Sequence, residues 1–365
     1  MKKFIALICA VVLCTGLFST FAFAAEEPQE TFKVGVILYD TECQWAKDIM
    51  GCLTAIGEPL GVTFETAIGG TDPEQTIQDA QNFGAAGYDG IVNLHPGTIM
   101  SKLVEICEEY GMYIVTSNDP SSASEDYEEF SKSEYFAGEV WEDEKEIAGD
   151  IIQDMYDKGA REFGLHGFPY GLSSQMDARL DGARAKMEEL GITEENIHEG
   201  LSFDKAGAAE ELISSFPNLD AIFSSVETVS TVYQPLINSG KSGEIMLNCY
   251  DPNDDALDAF YDGTLSYATT GTCADSMIAF VLLYNAMTGN RMVQEDGSAA
   301  SINMKYLFCT SAEDYETAMN NCSGENPAYT LEELEQFIGA DASYEELKEF
   351  AEAFSLEDIQ ARHAE

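Results

Sequence analysis

Aromatic and acidic side chains are the groups of this chain best suited to bind a small polar molecule. The 365 residues include two tryptophans, Trp45 and Trp141. A flat aromatic ring covers apolar C–H groups and excludes water, and its face attracts cations. The carboxylate of Asp251 only accepts hydrogen bonds, so it suits hydroxyl or ammonium donors. The alternatives are that both tryptophans are ordinary core residues and that Asp251, which precedes Pro252, caps a helix.

Catalytic chemistry is not predicted from the same residue types. Acidic residues number 66 of 365, so carboxylate pairs like those of a glycosidase arise by chance. The sequence lacks the GxSxG, HExxH and GxxxxGK(S/T) motifs. It has no CxxC pair, and its four histidines are scattered. We therefore expect no enzyme activity, no cofactor and no bound metal.

The charge balance excludes two classes of partner. Lys and Arg total 18 against 66 Asp and Glu, which gives a formal net charge of −48. Nucleic acids and anionic membrane surfaces both attract clustered Lys and Arg. We therefore expect neither as a partner. Hydrophobic residues make up 45% of the chain, which is enough for a folded core.

The N-terminus has the pattern of a secretory signal peptide at residues 1–24. Two lysines precede the apolar run Phe4–Leu13, and Ala22-Phe23-Ala24 has the small residues of a cleavage site. A membrane anchor is the alternative, although Thr and Ser interrupt the apolar stretch. We predict export to the periplasm or the cell exterior. Seven cysteines, an odd number, follow this segment, and we interpret most of them as small buried hydrophobic residues.

Strand and helix patterns alternate along the rest of the chain and restart after a polar break at residues 121–133. Strands are predicted at 32–38, 62–66, 90–94 and 113–116, and then at 162–166, 197–203, 221–224 and 245–248. Helices are predicted at 44–60, 73–86, 99–110, 142–158, 174–190, 207–215, 228–239 and 254–261. This order predicts two α/β units, each with a parallel sheet covered by helices on both faces.

The C-terminal segment 324–365 departs from this alternation. Thr330–Glu333 and Ser343–Glu346 both have the capping-box pattern of a helix start, and apolar residues at helical spacing follow each. We predict a small acidic helical extension that packs against the rest of the chain. A binding surface for a partner is the alternative.

Five segments resemble those of the type I periplasmic sugar-binding proteins, relatives of ribose-binding protein. The similarity covers roughly residues 32–310, and the segments stand in the order that the family has. They are Lys33–Ile37, Thr71–Asp79, Gly87–Val92, Pro217–Phe223 and Cys249–Asp251. The resemblance implies two Rossmann-like lobes joined by a three-crossover hinge, with the ligand held between lobes that close on it.

The resemblance also implies where the chain divides. Lobe one is expected at 31–137 and 272–302, and lobe two at 138–271 and 303–323. The helical extension at 324–365 lies outside the family pattern. We expect a monomer.

The resemblance places ligand-binding residues at the carboxyl ends of strands, where open α/β sheets bind ligands. Trp45 follows the first strand, where the family carries a stacking aromatic residue. Asp251 matches a strand-end Asp that accepts hydrogen bonds from ligand hydroxyls. The other candidates are Glu42, His95, Asn118, Asp119, Trp141, Gln175, Asp177 and Glu227.

Three departures from the ribose-type pattern change the expected ligand. Asp119 and Asp177 stand where those relatives carry arginines, and Val226 replaces an asparagine. The cleft has therefore lost positive charge, which disfavours anionic ligands such as sugar phosphates. A neutral sugar or a cationic ligand remains.

These expectations together describe an exported solute-binding protein. The resemblance implies that it delivers a small polar ligand, most simply a neutral carbohydrate, to the membrane permease of an ABC-type importer. The alternatives are a sensor subunit that presents its ligand to a membrane receptor, and a binder of a cationic amine. The negative charge and the signal-peptide pattern argue against a DNA-binding repressor of the same fold.

Overall fold

Buried apolar runs form twelve strands in residues 31–69, 72–94, 99–118, 120–252 and 256–363, which the computed structural model describes. The predicted signal peptide, His95 and Asp119 lie outside these residues. The strands are β1 (Phe32–Leu38), β2 (Val62–Ile68), β3 (Gly90–Asn93), β4 (Tyr113–Asn118), β5 (Phe136–Glu142), β6 (Phe163–Gly167), β7 (Ile197–Leu201), β8 (Ala221–Ser224), β9 (Met246–Tyr250), β10 (Tyr267–Thr270), β11 (Ala300–Met304) and β12 (Leu307–Cys309).

Helices connect most of these strands and form the C-terminal segment. They are α1 (Gln44–Gly57), α2 (Pro73–Ala85), α3 (Met100–Tyr110), α4 (Tyr127–Phe130), α5 (Glu144–Asp157), α6 (Ser174–Glu189), α7 (Lys205–Ser215), α8 (Tyr233–Ser239), α9 (Ala256–Tyr261), α10 (Thr272–Met287), α11 (Ala312–Asn321), α12 (Leu331–Glu335), α13 (Tyr344–Glu352) and α14 (Leu356–Arg362). None of these described helices is both long and apolar enough to span a bilayer.

The strands form two six-stranded sheets. The first has the order β11-β5-β4-β3-β1-β2 and the second β12-β10-β9-β8-β6-β7. Neighbouring strands are parallel, except that β12 runs antiparallel to β10. We call the first sheet and the helices packed on it lobe one, and the second sheet and its helices lobe two. The predicted fold class, two α/β lobes with parallel sheets, is confirmed, and β12 is its one antiparallel strand.

Three chain segments connect the lobes, and we call them the crossovers. The first lies between β5 and α5, the second between β10 and α10, and the third between β11 and β12. Helix α10 returns the chain to lobe one, because it packs against β3, β4 and β5. The lobe boundaries predicted near residues 137 and 302 fall inside β5 and β11, so the first and third crossovers begin a few residues after those positions.

Local sequence signals explain several element ends. Asp72 caps α2 by accepting a hydrogen bond from the Glu74 backbone N–H at 2.9 Å, and Pro73 occupies the first turn, as predicted. Helix α1 is shorter than predicted, because Glu58–Leu60 continues as a 3₁₀ turn. Helix α8 begins at Tyr233, five residues after the predicted start.

The C-terminal extension is part of the same hydrophobic core as the lobes. It begins against α1, where the Gly324 N–H donates to Asp48 Oδ1 at 2.8 Å. It then contacts α10, since Asn285 Nδ2 donates to the Phe337 carbonyl at 2.7 Å. Its last helix, α14, packs on α11 of lobe two. The extension therefore runs from lobe two across lobe one and back.

Candidate functional site

Two strand ends have an unusual backbone conformation. Among the described residues, Asn118 (φ 75°) and Asp251 (φ 42°) are the only non-glycine residues with positive φ. Asn118 ends β4 in lobe one, and Asp251 follows β9 in lobe two. Positive φ costs free energy in residues with a Cβ and concentrates at functional sites. Both are predicted site residues, so this observation points to the same strand ends as the sequence.

A cavity of about 570 Å³ opens between the lobes beside the first crossover. Its walls come from the start of α3, the segment after β4, the first crossover and the start of α6. The lining residues are Ser101, Pro120, Ser124, Glu125, Asp126, Trp141, Glu142, Asp143, Glu144, Lys145, Ser174, Gln175 and Ala178. The volume lies in the range of small-molecule sites.

Trp141 is held in a fixed orientation at this cavity. Its indole Nε1–H donates to Ser301 Oγ at 3.2 Å, and Ser301 Oγ donates to Glu139 Oε1 at 2.6 Å. The ring is only partly buried. A partly exposed ring held at its polar edge presents its face to a ligand at little entropic cost.

Gln175 and Asn118 connect the two lobes across the cavity. Gln175 Nε2, on α6 of lobe two, lies 3.5 Å from the Asn118 carbonyl of lobe one. Asn118 Nδ2 donates to the Thr272 carbonyl at 3.3 Å, which places it against the second crossover. Its buried Oδ1 accepts no hydrogen bond from the described residues. Opening of the lobes would break the Gln175 contact.

Trp45 and Asp251 come together at a second, much smaller cavity of about 10 Å³. Trp45 starts α1 in lobe one, and its ring lies 5.3 Å from that of Tyr39. Thr272 Oγ1 donates to Asp251 Oδ1 at 3.5 Å. Burial raises the pKa of Asp251 to about 7. Residues from both lobes therefore meet here, in a space that holds one water molecule rather than a sugar.

A buried pair of carboxyl groups lies beneath the crossovers. Glu142 is 1% exposed and Asp275 fully buried, and none of their four carboxyl oxygens accepts a hydrogen bond from a donor group of the described residues. Burial, together with the charge of Asp275, raises the pKa of Glu142 well above its usual range. Burial raises the pKa of Asp275 to about 8. The two adjacent carboxyl groups therefore titrate together, and each keeps its proton to a higher pH than it would in water.

Arg179 supplies the positive charge of this region. Its Nε donates to Glu144 Oε2 at 2.6 Å, and its Nη2 donates to Tyr306 OH at 2.9 Å. The guanidinium carbon lies 3.7 Å from the centre of the Tyr250 ring. These contacts tie α6 to the first crossover, the third crossover and β9. Arg179 is not among the predicted site residues, because the ribose-type pattern places its lobe-two arginine two positions earlier, at Asp177.

The remaining predicted acids have local contacts. Asp177 accepts hydrogen bonds from the Gly171 N–H at 2.9 and 3.2 Å, which closes the loop before α6. Glu227 accepts from the Ser230 N–H at 3.1 Å and holds the turn that delays the start of α8. Glu42 is exposed on the segment before α1. The structure thus places Trp141 and Gln175 at the larger cavity and Trp45 and Asp251 at the smaller one. Asn118 lines neither cavity and contacts Gln175 through its carbonyl oxygen.

The acid pair predicts a pH dependence of stability. The folded pair keeps a proton up to about pH 8, whereas an unfolded Asp loses it near its ordinary pKa of 3.8. The folded state therefore binds more protons between these pH values, and the free energy of unfolding falls as pH rises through them. One extra bound proton changes the free energy of unfolding by about 1.4 kcal/mol per pH unit. Asp275→Asn should reduce the slope by up to this amount.

Urea unfolding of wild type and Asp275→Asn at pH 5, 6 and 7 measures this slope. Asp341→Asn, a change at an exposed position, is the control and should follow wild type. Parallel curves for wild type and Asp275→Asn would show that Asp275 itself takes up no extra proton on folding.

Solved structures of other proteins superpose on this chain. A twin-arginine translocation pathway signal protein from Burkholderia phytofirmans superposes with a TM-score of 0.68 at 11% identity, over 81% of this chain and 95% of that one. An ABC transporter solute-binding protein from Agrobacterium vitis with bound D-fucose gives 0.63 at 15% identity, over 76% and 95%. Together with the two six-stranded sheets and three crossovers, these matches decide the fold. This is the type I periplasmic binding protein fold.

The type I periplasmic binding protein fold also occurs in regulators. A LacI-type transcriptional regulator from Bacteroides fragilis superposes with a TM-score of 0.63 at 13% identity, over 79% of this chain and 99% of that one. No protein-family model and no curated protein sequence matches this chain. The structural matches therefore establish the fold and not the function.

Proposed function

We propose that this protein is an exported solute-binding protein that captures a small neutral carbohydrate between its lobes and delivers it to an ABC-type importer. The observation that carries the proposal is the cavity of about 570 Å³ between the lobes, lined by Trp141 from lobe one and Gln175 from lobe two. A ring face stacks on the C–H groups of a sugar, while the amide exchanges hydrogen bonds with its hydroxyls.

A ligand drives closure of the lobes by contacting both of them at once. A ligand shifts a conformational equilibrium only by its differential affinity for the two states. Trp141 and Gln175 lie on opposite lobes, so a ligand that touches both favours the closed form. The Agrobacterium vitis protein with bound D-fucose has the same fold, which supports a sugar as the ligand.

A cationic amine is the second candidate. Five acidic residues and one lysine line the cavity: Glu125, Asp126, Glu142, Asp143 and Glu144, with Lys145. Glu142 keeps its proton beside Asp275 and Glu144 is paired with Arg179, so Glu125, Asp126 and Asp143 are the acids open to a cationic ligand. Carboxylates and an aromatic face together bind ammonium groups well. The same acids also accept hydrogen bonds from sugar hydroxyls, so the two candidates need a direct test.

A thermal-shift screen over neutral sugars, polyamines and quaternary amines separates the candidates. Ligand at 100 times its Kd adds about 2.7 kcal/mol to the free energy of unfolding. We expect a shift with a neutral sugar and none with the amines, whereas the opposite result would favour the second candidate.

Small-angle scattering should then show a smaller radius of gyration with the ligand, and an unchanged radius would count against closure. Genes for a permease and an ATPase beside this one would favour transport over sensing.

Replacement of Trp141 tests the site. Trp141→Ala removes the stacking face, worth about 1–3 kcal/mol, so ligand affinity should fall roughly 5- to 150-fold by calorimetric titration. Tyr261→Ala removes an aromatic side chain that is 67% exposed and lines neither cavity, and it should bind like wild type. Equal affinities in wild type and Trp141→Ala, with both proteins folded, would place the ligand elsewhere.

A further inference from the structure

Three cysteines from distant parts of the sequence meet beside the second crossover. Cys52 lies on α1, Cys273 in the first turn of α10, and Cys322 directly after α11. All three are buried, and the Sγ atoms of Cys273 and Cys322 are 3.5 Å apart. Cys52 Sγ donates to the Ser323 carbonyl at 3.3 Å. The sequence suggested small buried hydrophobic residues, but not that three thiols would be adjacent.

We propose that Cys273 and Cys322 form a disulfide under oxidising conditions, which joins α10 of lobe one to the end of α11 in lobe two beside the hinge. Sulfur atoms in a disulfide are about 2.05 Å apart, so the two side chains must approach by about 1.5 Å. The proposal does not depend on the identity of the ligand, and it applies directly to a protein exported to an oxidising compartment.

The hydrogen bonds around the thiols favour Cys273 as the attacking group. The neighbouring thiols of Cys322 and Cys52 both stabilise its thiolate and lower its pKa well below the usual range. Cys322 has the opposite environment, since its contact with Cys273 and its burial raise its pKa. A thiolate is the nucleophile in thiol–disulfide exchange. The pair therefore contains one thiol that is readily deprotonated and one that stays protonated.

The reaction with glutathione disulfide balances as two exchange steps. The Cys273 thiolate attacks one sulfur of glutathione disulfide and releases a glutathione thiolate, which leaves a mixed disulfide on Cys273. Cys322 then loses its proton and attacks the Cys273 sulfur, releasing the second glutathione. The protein loses two thiol hydrogens, and one glutathione disulfide is reduced to two glutathione thiols. Cys52 stays reduced.

The position of the bond gives it a mechanical effect. Cys273 and Cys322 line the small cavity together with Trp45 and Asp251. Cys322 Sγ also lies 3.8 Å from the Gly271 carbonyl of the second crossover. A covalent link here adds a connection between the lobes next to the hinge segments, so the oxidised protein should open less widely than the reduced one.

Thiol counting and peptide mapping test the proposal on the full mature chain. Because the folded chain buries all three thiols, the protein is refolded from urea in the presence of glutathione disulfide, then denatured again, and its free thiols are titrated against the seven of the reduced chain. We expect a loss of two thiols and a peptide that joins Cys273 to Cys322 and is two hydrogens lighter than its reduced parts. No loss of thiols, or a link between Cys52 and Cys273, would overturn the proposal.

Two variants sharpen this test. Cys322→Ser removes the partner thiol and should lose no thiols to a disulfide within the chain. Cys107→Ser, which replaces a cysteine buried in lobe one, is the matched control and should still form the Cys273–Cys322 link. If Cys322→Ser fails to fold, the peptide map of the wild-type chain still decides the outcome.

Discussion

Removal of residues 324–365 is expected to prevent native folding. Six large apolar side chains of this extension are buried in the core that the lobes share: Tyr329, Leu334, Phe337, Leu347, Phe354 and Ile359. Burial of each is worth about 1.5–3 kcal/mol, and the net stability of a whole domain is only about 5–15 kcal/mol. The truncated chain would also expose the surfaces of α1, α10 and β11 that these residues cover.

Circular dichroism melts and the soluble yield of the truncated chain measure this effect. Phe337→Ala should lower the free energy of unfolding by about 3–5 kcal/mol, as for other buried aromatic residues. Glu335→Ala, two residues away and exposed, is the control and should change it little. A truncated chain that melts like the full chain would mean that the extension packs only loosely.

Arg179→Met is expected to cause the largest loss of stability among single charge changes. It leaves the buried Glu144 without its counter-charge, close to the Glu142–Asp275 pair. Loss of one partner of a buried ion pair costs about 3–5 kcal/mol. Arg184→Met is the matched control, because Arg184 lies nearer the surface beside the more exposed acids Glu194 and Glu199. Exposed pairs contribute about 0–1 kcal/mol.

A double change identifies the cause. Arg179→Met with Glu144→Leu removes both charges, so it should recover much of the stability that Arg179→Met alone loses. Urea unfolding of the two single variants and the double variant gives the coupling free energy. If the losses of the single variants simply add, Arg179 acts through packing on Tyr250 and not through its charge.

Most of the fold could be predicted, because it depends on local patterns. The run Phe32–Leu38 has the buried β-branched pattern of a parallel strand, and Asp72-Pro73 has the spacing of a helix start. β5 was missed because its sequence contains Gly138 and leads directly into the acidic run 142–146, which has the composition of a solvated helix. Gly138 has φ 147°, and a Cβ there would lie 2.6 Å from the Ala300 carbonyl of β11. Only the pairing of β5 with β11 reveals that constraint.

The site could be predicted only in part, because its residues come from distant parts of the chain. The resemblance pointed to the tryptophans and strand-end acids, and the structure shows which of them share a cavity. Nothing in the local sequence marks Glu142 and Arg179, because their partners are distant in the chain: Asp275 for Glu142, and Glu144, Tyr250 and Tyr306 for Arg179. In a chain with 66 acidic residues, a carboxylate that will be buried has the same local appearance as one on the surface.

The path of the C-terminal extension affects the order in which the two lobes can be completed. Lobe one contains the first strand of the chain, but its sheet is completed by β11 and its core by residues after 324. The lobe whose first strand is synthesised earliest is therefore completed late, since its sheet needs β11 and its core needs the segment that follows residue 324. A chain with this arrangement cannot finish the core of lobe one until that segment has been made.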